Sequence, residues 1–319
     1  MSEIYVISPA HVATGGTELL QQLCKALRDF QLKSSMVYTE EFKNSPVSEK
    51  FKMYNNPIAR EVVDIEDNVV VIPETRVEYA RKYKKAKIII WWLSVDNYSG
   101  SGKVQYDFLH TIVYKYRDWK NSKIFGTCQH LVQSEYARLY LINEKKIDEN
   151  QIFYLSDYLN KAYLSDLNIQ NYKKENNILY NPKKGFEFTK QLKEAVPEYN
   201  WIPLQGYTPD EMKEIMKRSK VYIDFGNHPG KDRIPREAAI CGCCVITGKS
   251  GAAKNQIDIP INSKYKFDES IENIDSIHKM IDECMNHFEE NTRKFEEYRK
   301  IIMSEEERFK NDVAKIFVK

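Results

Sequence analysis

The sequence predicts an α/β protein of two successive units, each a parallel sheet flanked by helices. Three observations predict it. Short apolar runs alternate with helical periodicity almost from end to end. The run Ile88-Ile-Ile-Trp-Trp-Leu93 is continuously apolar, as in a central parallel strand covered on both faces. The alternation lapses once, in the polar Asn/Lys/Tyr-rich stretch between Asp157 and Asn177, and then restarts. At 319 residues the chain exceeds the roughly 100–200 of a usual domain, so two domains are expected, 1–170 and 171–319.

Taken in order, Ile4–Ser8 is the first strand. The loop from His11 to Gly16 then opens a helix with Leu19, Leu20, Leu23, Cys24 and Leu27 on one face. Ser35–Thr39, Asn68–Ile72, Ile88–Leu93, Ile124–Cys128 and Gln151–Leu155 complete the first predicted sheet. In the second half, Ile178–Tyr180 is a strand, Phe186–Ala195 a helix and Trp201–Leu204 a strand. Thr208-Pro-Asp-Glu211 sets an N-cap threonine, a proline at the first helical position and a glutamate for a capping box. Val221–Phe225 is the next strand, a helix runs from Pro235 to Gly242, and Val245–Thr247 follows as a strand. The last fifty or so residues keep helical spacing from Ile271 to Phe288, and Ser304–Glu307 has the form of a second capping box.

A net charge of +2 argues against a dedicated nucleic-acid binder. The chain opens on Met1-Ser-Glu3 and a strand pattern without a secretory signal, and its longest strongly apolar run is far short of the ~20 residues that span a bilayer. A cytoplasmic protein is expected, with attachment to the inner membrane surface left open. The six cysteines form no secreted disulfide framework, and Cys241-Gly-Cys243-Cys244 lacks a second ligand pair, so packing is expected there rather than a metal.

Chemistry concentrates in one segment, Asp224-Phe-Gly-Asn-His228-Pro-Gly-Lys231-Asp-Arg233-Ile-Pro-Arg236-Glu237. It joins a strand to a helix, and ligands of open α/β sheets bind beyond the carboxyl ends of strands. Lys231, Arg233 and Arg236 bring three cations close to a helix N-terminus, a combination suited to a diphosphate. A solvated turn is the plainer alternative. Glu237 either stabilises its helix or accepts from two ribose hydroxyls. Lys183 and Lys184 occupy a second strand-to-helix loop, and Gly206 a third, where a glycine lets backbone approach a nucleobase. Gly16 follows the first strand, and Asp96 follows the central apolar strand as a candidate base for an acceptor hydroxyl. The cluster from Tyr114 to Lys120 suits either anionic headgroups or a half-buried helix with snorkelling lysines.

The segment ending in Arg236-Glu-Ala-Ala-Ile-Cys-Gly-Cys-Cys-Val-Ile-Thr247 resembles the donor-site signature of the GT-B glycosyltransferases, and more particularly of their large retaining families. That signature has two glutamates eight positions apart, a small-residue helix, a glycine and a hydrophobic strand. Glu237 matches the second glutamate, while Pro229 stands where the first would be. Lys184-Gly185 resembles the family's lysine–glycine element at the donor diphosphate.

The resemblance implies two Rossmann-like domains facing a cleft, with C-terminal helices packing back across them. It implies transfer of a sugar from a nucleoside-diphosphate sugar to a glycan or lipid-linked acceptor, in surface polysaccharide assembly. Lys184, Arg233 and Arg236 would hold the diphosphate, Lys183 and Gly206 would be further donor-binding residues, and Gly16 would lie opposite the donor across the cleft. Glu237 would take the ribose, and His228 or Lys231 would lie nearer the sugar. No cofactor beyond the nucleotide sugar is implied, and no Asp-x-Asp motif calls for a divalent metal. A sugar-nucleotide-binding pseudoenzyme or a GT-B epimerase remains the alternative. A nicotinamide-dependent oxidoreductase is disfavoured, because no G-x-G-x-x-G follows the first strand.

Overall fold

The computed structural model describes residues 2–40, 45–100, 108–165 and 172–318. The chain divides into two compact units, one of Met1–Asp157 with Glu307–Lys319 and one of Tyr158–Glu306. The change therefore comes before the expected 170/171 boundary, which itself lies outside the described residues.

The first unit carries β1 (Ile4–Ser8), α1 (Gly15–Asp29), β2 (Ser34–Tyr38), β3 (Val69–Pro73), β4 (Lys87–Trp92), α2 (Val95–Ser99), α3 (Phe108–Phe125), β5 (Gln129–Val132), α4 (Glu135–Asn143) and β6 (Ile152–Tyr154). Its strands pair in parallel in the order β2-β1-β3-β4-β5-β6. Strand β4 is central, and its Ile90, Trp91 and Trp92 are fully buried, as a strand covered on both faces requires. One strand falls elsewhere than expected. Ile124 and Phe125 end α3, with Phe125 packed into the core against Trp92, and β5 begins only at Gln129. An apolar pair at a helix end and one at a strand start look alike over so short a run.

The second unit carries α5 (Lys161–Leu164), β7 (Glu175–Tyr180), α6 (Phe186–Ala195), β8 (Asn200–Pro203), α7 (Pro209–Arg218), β9 (Ser219–Asp224), α8 (Arg233–Ile240), β10 (Cys244–Gly248), β11 (Lys266–Phe267), α9 (Ile274–Asn286), α10 (Phe288–Arg293) and the start of α11 (Glu296–Phe317). Its parallel sheet has the order β11-β10-β9-β7-β8. The chain leaves β7 for β8 on one side and then returns to β9 on the other. The topological switch point therefore lies between β7 and β9, the place where ligands of such sheets bind. Cys241, Cys243 and Cys244 pack wholly inside this core, and burial pushes the Cys241 thiol up to about 12.

Helix α7 starts as its sequence requires. Thr208 Oγ1 accepts from the Glu211 amide, and the Glu211 carboxylate accepts from the Thr208 amide. The second expected capping box does not form. Ser304 lies inside α11 and bonds back to the Ile301 carbonyl, because apolar Ile302, Phe309 and Val313 keep the helix running through it. The last thirteen residues, 307–319, cluster with the first unit, so α11 belongs to both.

Candidate functional site

Two loops leave the sheet of the second unit at its switch point. The first runs from Asn181 to Gly185 after β7, the second from Phe225 to Asp232 after β9. They touch backbone to backbone. Gly185 has φ +58°, and a Cβ there would stand 2.1 Å from the Phe225 carbonyl oxygen. Gly226 has φ +96°, and its Cβ would meet the Gly185 nitrogen at 2.5 Å. Only glycine permits both the left-handed conformation and this approach. The two loops are thereby set in register with each other.

Lys184 emerges from that junction. Its ammonium is 3.1 Å from Asp224 Oδ1, bonds the Asp232 carboxylate, and stands 3.4 Å from His228 Nδ1. His228 is fully buried, with Nδ1 3.0 Å from Asp232 Oδ2 and Nε2 3.3 Å from the Asp224 carbonyl. Burial alone would lower the Lys184 pKa, but the Asp224 and Asp232 carboxylates outweigh it and raise it. Burial likewise works to raise Asp232, and the Lys184 ammonium and the His228 ring hold it below the usual carboxylate range. Donor atoms of Asp224, His228 and Asp232 lie within 4.8 Å of one another, a spacing that could hold a metal ion. In this arrangement the Lys184 ammonium already supplies the cation they share.

The remaining basic residues divide. Arg236, expected on the diphosphate, is fully enclosed: NH1 donates to Glu305 Oε2 at 2.7 Å, Nε to the Asp232 carbonyl at 3.1 Å and NH2 to the Lys231 carbonyl at 3.1 Å. Lys231 is also buried, with Nζ 2.6 Å from Glu305 Oε1. Both side chains thus turn toward α11, which corrects the expectation that they face a ligand. Arg233 is half-buried at the first position of α8, and Lys183 is exposed. Helix α8 starts at Arg233 rather than Pro235, so Glu237 lies in its second turn, beyond the strongest part of the helix dipole. Glu237 is 8% exposed and hydrogen-bonds the Tyr163 hydroxyl. Gly206 is exposed in its turn with φ +82° and open space about it.

In the first unit, Gly16 belongs to the first turn of α1, where a Cβ would stand 3.6 Å from the Leu93 side chain. Asp96 is 4% exposed on α2 and accepts from the Tyr136 hydroxyl at 3.1 Å. An enclosed, already bonded carboxylate is poorly placed to take a proton from an incoming hydroxyl. Sequence reasoning assigned no role to Asp224, Asp232 or Glu305, although the first two lay within the segment singled out.

No family model and no curated protein matches the chain. Solved structures do. A glycosyltransferase from Rickettsia africae aligns over 99% of both chains at 14% identity and TM-score 0.62. A sucrose-phosphate synthase from Thermosynechococcus elongatus covers 99% of this chain and 98% of its own at 13% identity and TM-score 0.64. HepE from Anabaena, solved in complex with UDP-glucose, aligns over 99% of both chains at 11% identity and TM-score 0.64. At these identities the likeness is one of architecture: the chain has the GT-B fold of two Rossmann-like domains.

Proposed function

We propose that the protein is a glycosyltransferase that moves a sugar from a nucleoside-diphosphate sugar to a glycan or lipid-linked acceptor. The observation that carries this reading is the position of Lys184 at the switch point of the second sheet, its loop interlocked with the one that supplies Asp224, His228 and Asp232. A fold-mate, HepE, is solved with UDP-glucose. In the proposed reaction the bond between the sugar C1 and the diphosphate oxygen breaks, and its electron pair leaves with the nucleoside diphosphate. The acceptor oxygen bonds C1 and passes its proton to an oxygen of the departing diphosphate. Lys184 and Arg233 stabilise the charge that collects on the departing diphosphate, with Lys183 nearby, and Glu237 takes the ribose. His228, expected nearer the sugar, is fully enclosed and instead holds the Asp232 carboxylate. Because Lys184 provides the cation, this reading requires no divalent metal.

Titration of the protein with UDP by calorimetry tests the assignment. Lys184→Ala should weaken UDP by about 10- to 100-fold while leaving the far-ultraviolet spectrum unchanged. Equal affinity in the two proteins removes Lys184 from the site. A nucleotide-sugar-binding protein without transfer activity is the second reading, favoured by Pro229 in place of the motif's first glutamate. Slow hydrolysis of a bound donor, or sugar transfer to a cell extract, decides for the enzyme.

We extend the proposal to surface polysaccharide assembly at the inner face of a membrane. No helix among the described residues is long and apolar enough to cross one, and the contact proposed is a peripheral one. Helix α3 supports this. It exposes Ile112, Val113, Tyr116 and Trp119, at 48%, 65%, 56% and 68% of their surface. At about 100° per residue, Ile112, Tyr116, Trp119 and Lys123 share one narrow stripe, flanked by Lys115 and Lys120.

A further inference from the structure

Arg236 and Lys231 both pair with one carboxylate, and that carboxylate stands outside the donor loops. Glu305 is 2% exposed on α11, 2.7 Å from the Arg236 guanidinium and 2.6 Å from the Lys231 ammonium. Through its two other nitrogens Arg236 holds the carbonyls of Lys231 and Asp232. The Asp232 carboxylate in turn holds Lys184 and His228. Direct contacts thus run from Glu305 to Arg236, from Arg236 to the backbone of Asp232, and from its carboxylate to the Lys184 ammonium. A buried ion cluster adds little net stability over apolar packing of the same volume. What it does supply is direction, since a guanidinium fork accepts few geometries.

We propose that Glu305 is a positioning residue for nucleotide binding: by clamping Lys231 and Arg236 it fixes the loop from Gly226 to Asp232, and through Asp232 it aims Lys184 at the diphosphate. The inference rests on the reading of this site as a nucleotide-sugar site. It explains why two of the three cations beside the start of α8 are withdrawn from the ligand side, since their work is done on the loop. Glu305 also lies just before the residues of α11 that belong with the first unit. The clamp ties the loop to α11 within the second unit.

The test compares wild type, Glu305→Gln and Lys231→Met by UDP calorimetry and by hydrogen exchange of the ligand-free proteins, well below their melting temperatures. Glu305→Gln should weaken UDP at least about tenfold and speed exchange in residues 226–236 without changing β7 or β9. Glu305→Asp should recover part of the affinity. Lys231→Met keeps the Arg236–Glu305 pair and serves if Glu305→Gln fails to fold; it should show the same two effects, smaller. Wild-type affinity and wild-type loop exchange in these variants, with only the melting temperature lowered, would overturn the proposal. Failure of the wild type itself to bind UDP would sink the nucleotide reading instead, and loop exchange would still decide whether the clamp exists.

Discussion

Lys184 and Glu74 show two ways of burying an ionisable side chain. Lys184 is sheltered but matched by two carboxylates, so its charge is kept. Glu74, just after β3, is 3% exposed and accepts from the Leu93 amide at 3.0 Å. Burial is the largest influence on it and pushes its pKa from 4.5 to about 7, against the lowering effect of the Leu93, Glu74 and Ser94 amides. The sign follows from linkage. With the folded value raised, Glu74 favours the folded state fully below 4.5, and that contribution is lost as pH rises through about 7. Glu74→Gln lacks this titration. Chemical denaturation at pH 4.5 and at pH 8 should show the wild type losing stability relative to the variant on the order of a few kcal/mol. A difference that stays flat between the two pH values would mean that the carboxylate is better solvated than its enclosure implies.

At the scale of single elements, what was legible in the sequence was whatever a short window controls. The limits of α6, the Thr208–Glu211 cap of α7 and the central position of β4 all follow from adjacent residues. The start of α8 was misplaced by two residues because Pro235 is tolerated in the first turn at more than one position. The destination of Arg236 was hidden for a different reason. Its partner Glu305 is 69 residues away, and no spacing rule links them. A cation beside a strand end suggests an anion, but whether that anion is ligand or protein is decided by packing. Helix α3 is a case where the element itself can be tested. Trp91 and Trp92 are fully buried and Trp201 is 8% exposed, whereas Trp119 is 68% exposed with Tyr116 stacked at 6.2 Å and Lys120 over that ring at 4.5 Å. Tryptophan emission should therefore shift to shorter wavelength on adding vesicles of phosphatidylglycerol, because Trp119 leaves water. Salt should weaken the shift by screening the lysines, and Trp119→Ala should abolish it. The same shift with purely zwitterionic vesicles would argue against a role for Lys115, Lys120 and Lys123.

Over the whole molecule, the two sheets make different predictions about where a nucleotide leaves its mark. The switch point of the second sheet lies between β7 and β9, with the interlocked Gly185 and Gly226 above it. A ligand that binds only the folded state at a hundredfold excess over its dissociation constant adds about 2.7 kcal/mol to stability. That gain should appear first as slower amide exchange in residues 181–186 and 225–237, with strands β1 and β3 of the first unit unaffected. Since Lys184 occupies the space among Asp224, His228 and Asp232 that a metal would need, EDTA should leave both the stabilisation and the exchange pattern unchanged. Protection confined to the first unit would move the nucleotide to the wrong domain. Protection that vanishes with EDTA and returns with magnesium would show that Lys184 is displaced by a metal ion when the nucleotide binds, and the role assigned to its ammonium would pass to that ion.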